Sequence, residues 1–123
     1  MIGIGEWVRL KDGRIRIFKE YINEIDVVLS RPYNTAKTID IVKHSKNIID
    51  LIEVGDYVNG SEVIIVYGYD EDGNDKDGLG ICKVDDDYAY YTYLEDINIK
   101  SIVTKEQFNS AKYVIPEEKW KRL

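Results

Sequence analysis

Alternating apolar and polar positions dominate the chain, and a period of two predicts β-strands rather than helices. The clearest example is Arg14-Ile15-Arg16-Ile17, which would present one apolar face and one charged face. Similar alternation, or short runs of β-branched residues, predicts strands over residues 14–18, 21–29, 38–42, 63–69, 79–84, 89–93 and 97–103. Tyr113-Val114-Ile115 is a further short candidate, stopped by Pro116.

Helical patterns are confined to two short places. Ile48, Leu51 and Ile52 follow the i, i+3, i+4 spacing, which predicts one helical turn near residues 47–52. Thr104 and Gln107 match a capping box, in which each residue satisfies a backbone amide at the helix start. A short helix over residues 105–111 should follow and should bury Phe108.

A near-repeat divides the chain at an offset of 50 residues. Ile4-Gly5-Glu6-Trp7-Val8 recurs as Val54-Gly55-Asp56-Tyr57-Val58, and each copy precedes a Gly-containing turn, Asp12-Gly13 or Asn59-Gly60. Many small SH3-like barrels open with this pattern, although two hairpin starts can also resemble each other by chance. The repeat predicts a single mainly β (α+β) domain over 1–123, with SH3-like barrel units at 1–53 and 54–115 that form either one barrel or two. Residues 116–123 form a charged tail, and Gly5 and Gly55 should occupy matching turns.

The same patterns predict which side chains form the core. The expected core residues are Trp7, Val8, Ile15, Ile17, Ile48, Leu51, Ile52, Tyr57, Val58, Ile64, Val66, Ile81, Ile102 and Phe108.

Charge is concentrated in one segment. The chain has 17 basic and 23 acidic residues, a net charge of −6, but residues 70–96 hold ten acids against Lys76 and Lys83, a charge of −8. Such a segment repels nucleic acid and can attract a basic protein. The alternative is a solvated acidic hairpin whose charges only keep the protein soluble. No apolar run reaches the roughly 18–20 residues that span a bilayer. The N-terminus lacks the features of a signal peptide.

Candidate chemistry is sparse, which argues against an enzyme. A single histidine, His44, and a single cysteine, Cys82, leave little for zinc binding or nucleophilic catalysis, and one cysteine suits a reducing compartment. An EF-hand starting at Asp70 fails because its sixth position is Asp75 and its twelfth is Ile81. A polar hairpin loop explains residues 70–77 better, with weak, irregular calcium binding left open. We expect no cofactor and no metal.

Tyrosine is unusually abundant, with ten residues, four of them within residues 88–93. One pair can pack inward on a strand, so the other should be exposed beside carboxylates, a composition suited to protein interfaces. Ordinary cross-strand pairing is the alternative. The predicted partner-binding residues are Asp70, Asp72, Asp85, Asp86, Asp87, Tyr88, Tyr90, Tyr91, Tyr93, Glu95 and Asp96.

Two segments carry a resemblance to a protein family. Residues 41–60, IVKHSKNIIDLIEVGDYVNG, and residues 96–108, DINIKSIVTKEQF, resemble segments of small phage and prophage proteins of Gram-positive bacteria. The resemblance implies expression in the cytoplasm of an infected or lysogenic bacterium. Some small acidic phage proteins inhibit host defence enzymes, including CRISPR nucleases, and residues 19–38 and 67–95 match no family motif.

These observations lead to one main expectation and one alternative. The first is a non-enzymatic phage protein that binds a host protein, for example a nucleic-acid-binding nuclease, through the acidic Tyr-rich region. The alternative is a structural or regulatory accessory barrel of the phage without inhibitory activity. Neither requires direct nucleic-acid or membrane binding.

Overall fold

The computed structural model describes residues 1–31 and 35–117, and its strands form three small antiparallel sheets. The first sheet contains β1 (Trp7–Leu10), β2 (Ile15–Tyr21), β3 (Asp26–Leu29), β4 (Thr35–Lys37) and β5 (Ile41–Ser45), in the order β4-β3-β2-β1-β5. The other two are built from β6 (Tyr57–Val58), β7 (Ser61–Glu62), β8 (Ile64–Val66), β9 (Gly78–Asp85), β10 (Tyr88–Tyr93) and β11 (Ile102–Val103), in the orders β10-β9-β8 and β11-β6-β7. The prediction of a mainly β fold is confirmed. All three sheets are open, and no closed barrel is found among the described residues.

Both short helical segments are present. Residues Ile48–Leu51 form a single 3-10 turn, and α1 spans Lys105–Ala111 with the capping box of Thr104 and Gln107 in place. Two further 3-10 turns cover Thr38–Asp40 and Leu94–Asp96. No helix in the described part of the chain has the length and apolar character needed to cross a membrane.

The two copies of the near-repeat adopt the same local structure. Gly5 and Gly55 have φ angles of 87° and 95°, a region that disfavours residues with a Cβ. Gly5 N donates to Phe18 O and Phe18 N donates to Glu6 O; in the second copy Gly55 and Asp56 bond Val63 in the same way. The prediction of matching turns before matching strands is confirmed.

The described residues form two apolar clusters. The first consists of Val8, Leu10, Phe18, Val27 and Leu29, and the second joins Ile52, at the end of the first half, to Val58, Val63, Ile81 and Leu94 of the second half. Leu51 is also fully buried. Of the predicted core residues, Val8, Leu51, Ile52, Val58 and Ile81 are buried, so the prediction is correct in part.

Several local predictions are wrong. Phe108 is 41% exposed, because it stacks on Tyr57 at 4.8 Å between ring centroids instead of entering the core. The run 21–29 is not one strand, since Asn23 accepts backbone amides of Ile25 and Asp26 and turns the chain between β2 and β3. The region 113–115 forms no strand and is exposed. Most of the charged tail, including Lys119 to Arg122, lies outside the described residues.

A buried ion-pair network joins the halves. Arg9 and Asp56 are both fully buried, with Arg9 Nη1 at 2.5 Å from Asp56 Oδ2 and Nη2 at 2.9 Å from Oδ1. Arg9 also donates to Leu51 O at 2.9 Å and to Glu106 Oε2 at 2.7 Å. The guanidinium therefore ties β1 to the turn before β6 and to α1.

Carboxylates keep this arginine charged. Burial disfavours the charged form of Arg9, but its hydrogen bonds and ion pairs with Asp56, Glu106 and Glu53 outweigh burial and raise its pKa. Glu53 binds Lys105 Nζ at 2.7 Å and Lys43 Nζ at 3.1 Å. The Lys105 hydrogen bond, with help from Lys43 and Arg9, lowers the pKa of Glu53 to about 2.

Candidate protein-interaction surface

The β9–β10 hairpin positions most of the predicted partner-binding residues. Its two central turn residues are Asp86 and Asp87, and Asp86 has a φ of 47°, which aspartate tolerates better than most residues. Asp85 faces Tyr88 across the end of the ladder. All three aspartates are exposed, and none forms an ion pair with a described residue. The tip of the hairpin thus carries three neighbouring carboxylates that no ion pair among the described residues neutralises.

The tyrosines of β10 divide between the two faces of the sheet. Tyr88 and Tyr90 lie on one face, with ring centroids 5.9 Å apart, and are 62% and 40% exposed. Tyr91, 62% exposed, lies on the other face, because successive side chains of a strand alternate. Both faces of this edge strand therefore present exposed aromatic rings, whereas the sequence predicted one exposed pair and one inward-packed pair.

Tyr93 has a structural role instead. Its ring passes over Gly78 and its hydroxyl donates to Lys76 O at 2.7 Å. Lys76 in turn places its ammonium 4.7 Å from the ring centroid and pairs with Glu95 at 3.1 Å. Tyr93, Lys76 and Glu95 fasten the β8–β9 connection to β10, so Tyr93 and Glu95 support the surface more than they offer free groups to a partner.

Asp70 and Asp72 lie in the β8–β9 connection, where they differ in role. Asp70 Oδ1 accepts the backbone amides of Asp72 and Asn74, both at 2.9 Å, and so closes the turn at Gly73. Asp72 is exposed and its carboxylate has no described partner. Within the described residues, no group of three or more His, Cys, Asp or Glu side chains is arranged to hold a metal ion.

Sequence reasoning missed residues that extend the surface. Tyr67 and Tyr69 are each 75% exposed, and Val84 is 78% exposed. Tyr67 and Tyr91 line one shallow groove with Ile64 and Val66. Tyr67 and Tyr69 line a second groove with Asp75 and Asp77. The alternation of tyrosine around Gly68, directly before the acidic loop, was the signal that could have revealed them.

We call this region the Tyr/Asp surface and define it by its exposed members: Tyr67, Tyr69, Asp72, Asp75, Asp77, Val84, Asp85, Asp86, Asp87, Tyr88, Tyr90 and Tyr91. Asp96 is exposed but lies apart from the groove of Tyr91, beside Lys83, Asn98 and Lys100. Lys83 and Asn59 also line the groove of Asp85 and Tyr90, so Asp96 adjoins the hairpin, whereas Tyr91 and Tyr67 share a groove of their own.

The two remaining chemical candidates lie elsewhere. His44 Nδ1 is 3.2 Å from Glu6 Oε1 on the first sheet, with no described nucleophile in the pair. Hydrogen bonding from the Gly3 amide and from His44 lowers the pKa of Glu6. Cys82 is a partly buried free thiol on β9, opposite Tyr91.

Comparisons with protein-family models, with curated proteins and with solved structures gave no match.

Proposed function

We propose that this chain is a non-enzymatic phage protein that binds a basic host protein through the Tyr/Asp surface. The observation that carries the proposal is the exposure of five tyrosines, Tyr67, Tyr69, Tyr88, Tyr90 and Tyr91, beside aspartates without ion-pair partners. Tyrosine buries a large area at low entropic cost, and its enrichment is typical of interface hot spots.

The acids and the tyrosines have separate tasks in this proposal. Asp85, Asp86 and Asp87 steer a basic partner during encounter, because long-range charge mainly accelerates association. Tyr88 and Tyr91 then bury their rings and slow dissociation. A nucleic-acid channel of a host nuclease has the required basic chemistry, and an acidic hairpin in that channel would block its substrate.

The phage origin is proposed on the resemblance of residues 41–60 and 96–108, and expression in the bacterial cytoplasm is part of the same proposal. The likeness of the two halves to SH3-like barrel units belongs to the same proposal and is supported by the matching turns at Gly5 and Gly55.

The first experiment identifies the partner and tests the surface together. The wild-type chain and the variant Asp85→Asn/Asp86→Asn/Asp87→Asn are used as bait in extracts of the bacterial host, followed by mass spectrometry. Asparagine keeps the size of each side chain and also tolerates the positive φ of Asp86. The proposal expects a basic host protein that is retained by the wild type and lost with the variant.

A matched control removes the same charge elsewhere. Glu20→Gln/Glu24→Gln/Glu62→Gln neutralises three exposed acids outside the Tyr/Asp surface. It should retain the partner as the wild type does. Capture of phage virion proteins instead would support the alternative of a structural accessory protein. Equal loss with both triple variants would show that net charge, and not this surface, governs capture.

A further inference from the structure

The outer edge of β10 has unpaired backbone groups. β10 is the last strand in the order β10-β9-β8, and no described strand pairs with its other side. The two-residue turn makes Asp85 and Tyr88 the first hydrogen-bonded pair, and such pairs alternate along an antiparallel ladder. The backbone groups of Tyr90 and Thr92 therefore face β9, whereas those of Ala89 and Tyr91 face outward.

This edge lacks the usual protection against strand pairing. Exposed edges are normally blocked by lysine, proline, charge or a bulge. The edge strands of the first sheet follow that rule, since β4 contains Lys37 and β5 contains Lys43. β10 contains no charged residue and no proline over its six positions, and its ladder with β9 is regular. It is an open template for an added strand.

Charge decides which strand fits. In an antiparallel pair of two copies, the hairpin acids Asp85–Asp87 of one chain would lie near Glu95 and Asp96 of the other, so like charges would meet at both ends. A basic strand meets opposite charge at the same positions. Arginine suits both faces of β10, because its guanidinium pairs with carboxylate and stacks on the rings of Tyr88, Tyr90 and Tyr91.

We infer that the free edge of β10 accepts an extended, arginine-containing strand of the partner, which joins the sheet by backbone hydrogen bonds through Ala89 and Tyr91. The inference rests on the proposed function and specifies how the Tyr/Asp surface engages its partner. Backbone pairing supplies affinity in this mode, and alternate side chains supply specificity.

The experiment uses the full chain and defined peptides of about ten residues, the length of a long strand. The probe alternates arginine and valine. A second peptide keeps every arginine but replaces the central valines by proline, which retains charge and removes strand pairing. A third replaces arginine by glutamate. Isothermal titration should show at least about tenfold weaker binding of the proline peptide and no binding of the glutamate peptide.

Two variants of the chain test the edge itself. Ala89→Pro removes an amide that faces outward, so the ladder with β9 is kept, whereas Ala89→Val keeps the amide. Ala89→Pro should lower the affinity of the chain for the arginine–valine peptide by about tenfold or more, and Ala89→Val should leave that affinity unchanged. As a second measurement on the wild type, the Ala89 and Tyr91 amides should gain hydrogen-exchange protection when the peptide binds.

The outcomes separate this inference from the proposed function. If both arginine peptides bind equally, and the Ala89 and Tyr91 amides gain no protection, charge alone drives binding; strand addition is then overturned while the proposed function stands. No binding of either arginine peptide also overturns the inference. If the host partner is lost with the Asp85→Asn/Asp86→Asn/Asp87→Asn variant but not with Ala89→Pro, the surface is used without its edge.

Discussion

Asp56→Asn should destabilise the protein strongly, because this carboxylate accepts four hydrogen bonds inside the structure. Oδ2 accepts from Arg9 Nη1 and from the Glu53 amide at 2.8 Å, and Oδ1 accepts from Arg9 Nη2 and from the Lys105 amide at 2.9 Å. An asparagine has one NH₂ group, which would face two donors in either orientation. The substitution therefore removes a charge and also creates a donor–donor conflict.

The magnitude follows from the burial of Arg9. Removing one partner of a buried ion pair typically costs about 3–5 kcal/mol, since the remaining charge is left without full compensation. For a domain of this size that loss corresponds to a decrease in Tm of about 10–20 °C. Urea unfolding followed by tryptophan fluorescence measures the free energy, and calorimetry measures Tm.

The repeat supplies a matched control. Glu6 occupies the position of Asp56 in the first copy, and it likewise accepts an amide from the residue three positions earlier, Gly3. Its side-chain hydrogen-bond partner is His44, which is 41% exposed, whereas Arg9 is fully buried. Glu6→Gln should therefore lower the free energy of unfolding far less than Asp56→Asn does. Equal losses for the two variants would refute the claim that the buried network holds the halves together.

Three further predictions concern acid stability, a turn and a cap. The pKa of Glu53 is lowered to about 2, so the stability it contributes is present above about pH 4.5 and is lost as pH falls toward 2. In urea unfolding across that range, the free energy of unfolding should decrease less steeply with falling pH for Glu53→Gln than for the wild type. Gly13→Ala should lower the free energy of unfolding by about 3 kcal/mol or more, since φ is +90° and the new Cβ would collide with Thr104 Oγ1. Gly73→Ala has the same φ penalty in open space and should cost only about 1–2 kcal/mol in the same unfolding assay; equal costs would contradict the close approach. Thr104→Ala removes the side chain that caps α1 and should lower stability by about 1 kcal/mol, which calorimetry would detect; no change would show that the cap contributes nothing.

Local features of the fold were predictable from the sequence, because they depend on neighbouring residues. The capping box of Thr104 and Gln107 and the tight turn at Asn59-Gly60 are set by side chains within a few positions. The repeat also correctly indicated that Gly5 and Gly55 share one conformation.

Long-range features were not predictable. A charged residue in a short strand, such as Arg9, is normally expected to face solvent. Its burial depends on Asp56 and Glu106, which lie 47 and 97 residues further along the sequence. Phe18 is buried because it lies opposite Leu29 on the face of the first sheet that packs Val8, whereas the alternation in residues 14–17 placed the apolar face on Ile15 and Ile17.

The Tyr/Asp surface shows the same division. Composition identified the hairpin acids and the tyrosines of β10. It did not distinguish Tyr93, whose hydroxyl donates a hydrogen bond to Lys76 O, from Tyr91, whose ring is exposed. It also missed Tyr67, which only the folded sheet places beside Tyr91.

The most direct test of the Tyr/Asp surface is surface plasmon resonance against the captured host partner between about 50 and 300 mM salt. For Asp85→Asn/Asp86→Asn/Asp87→Asn, we predict a slower association that depends less on salt than that of the wild type, with Glu20→Gln/Glu24→Gln/Glu62→Gln unchanged. For Tyr88→Ala and Tyr91→Ala, we predict unchanged association and a faster dissociation, equivalent to about 2 kcal/mol for a central contact. Wild-type association and dissociation rates in all of these variants would contradict the account and place the interface on another face of the protein.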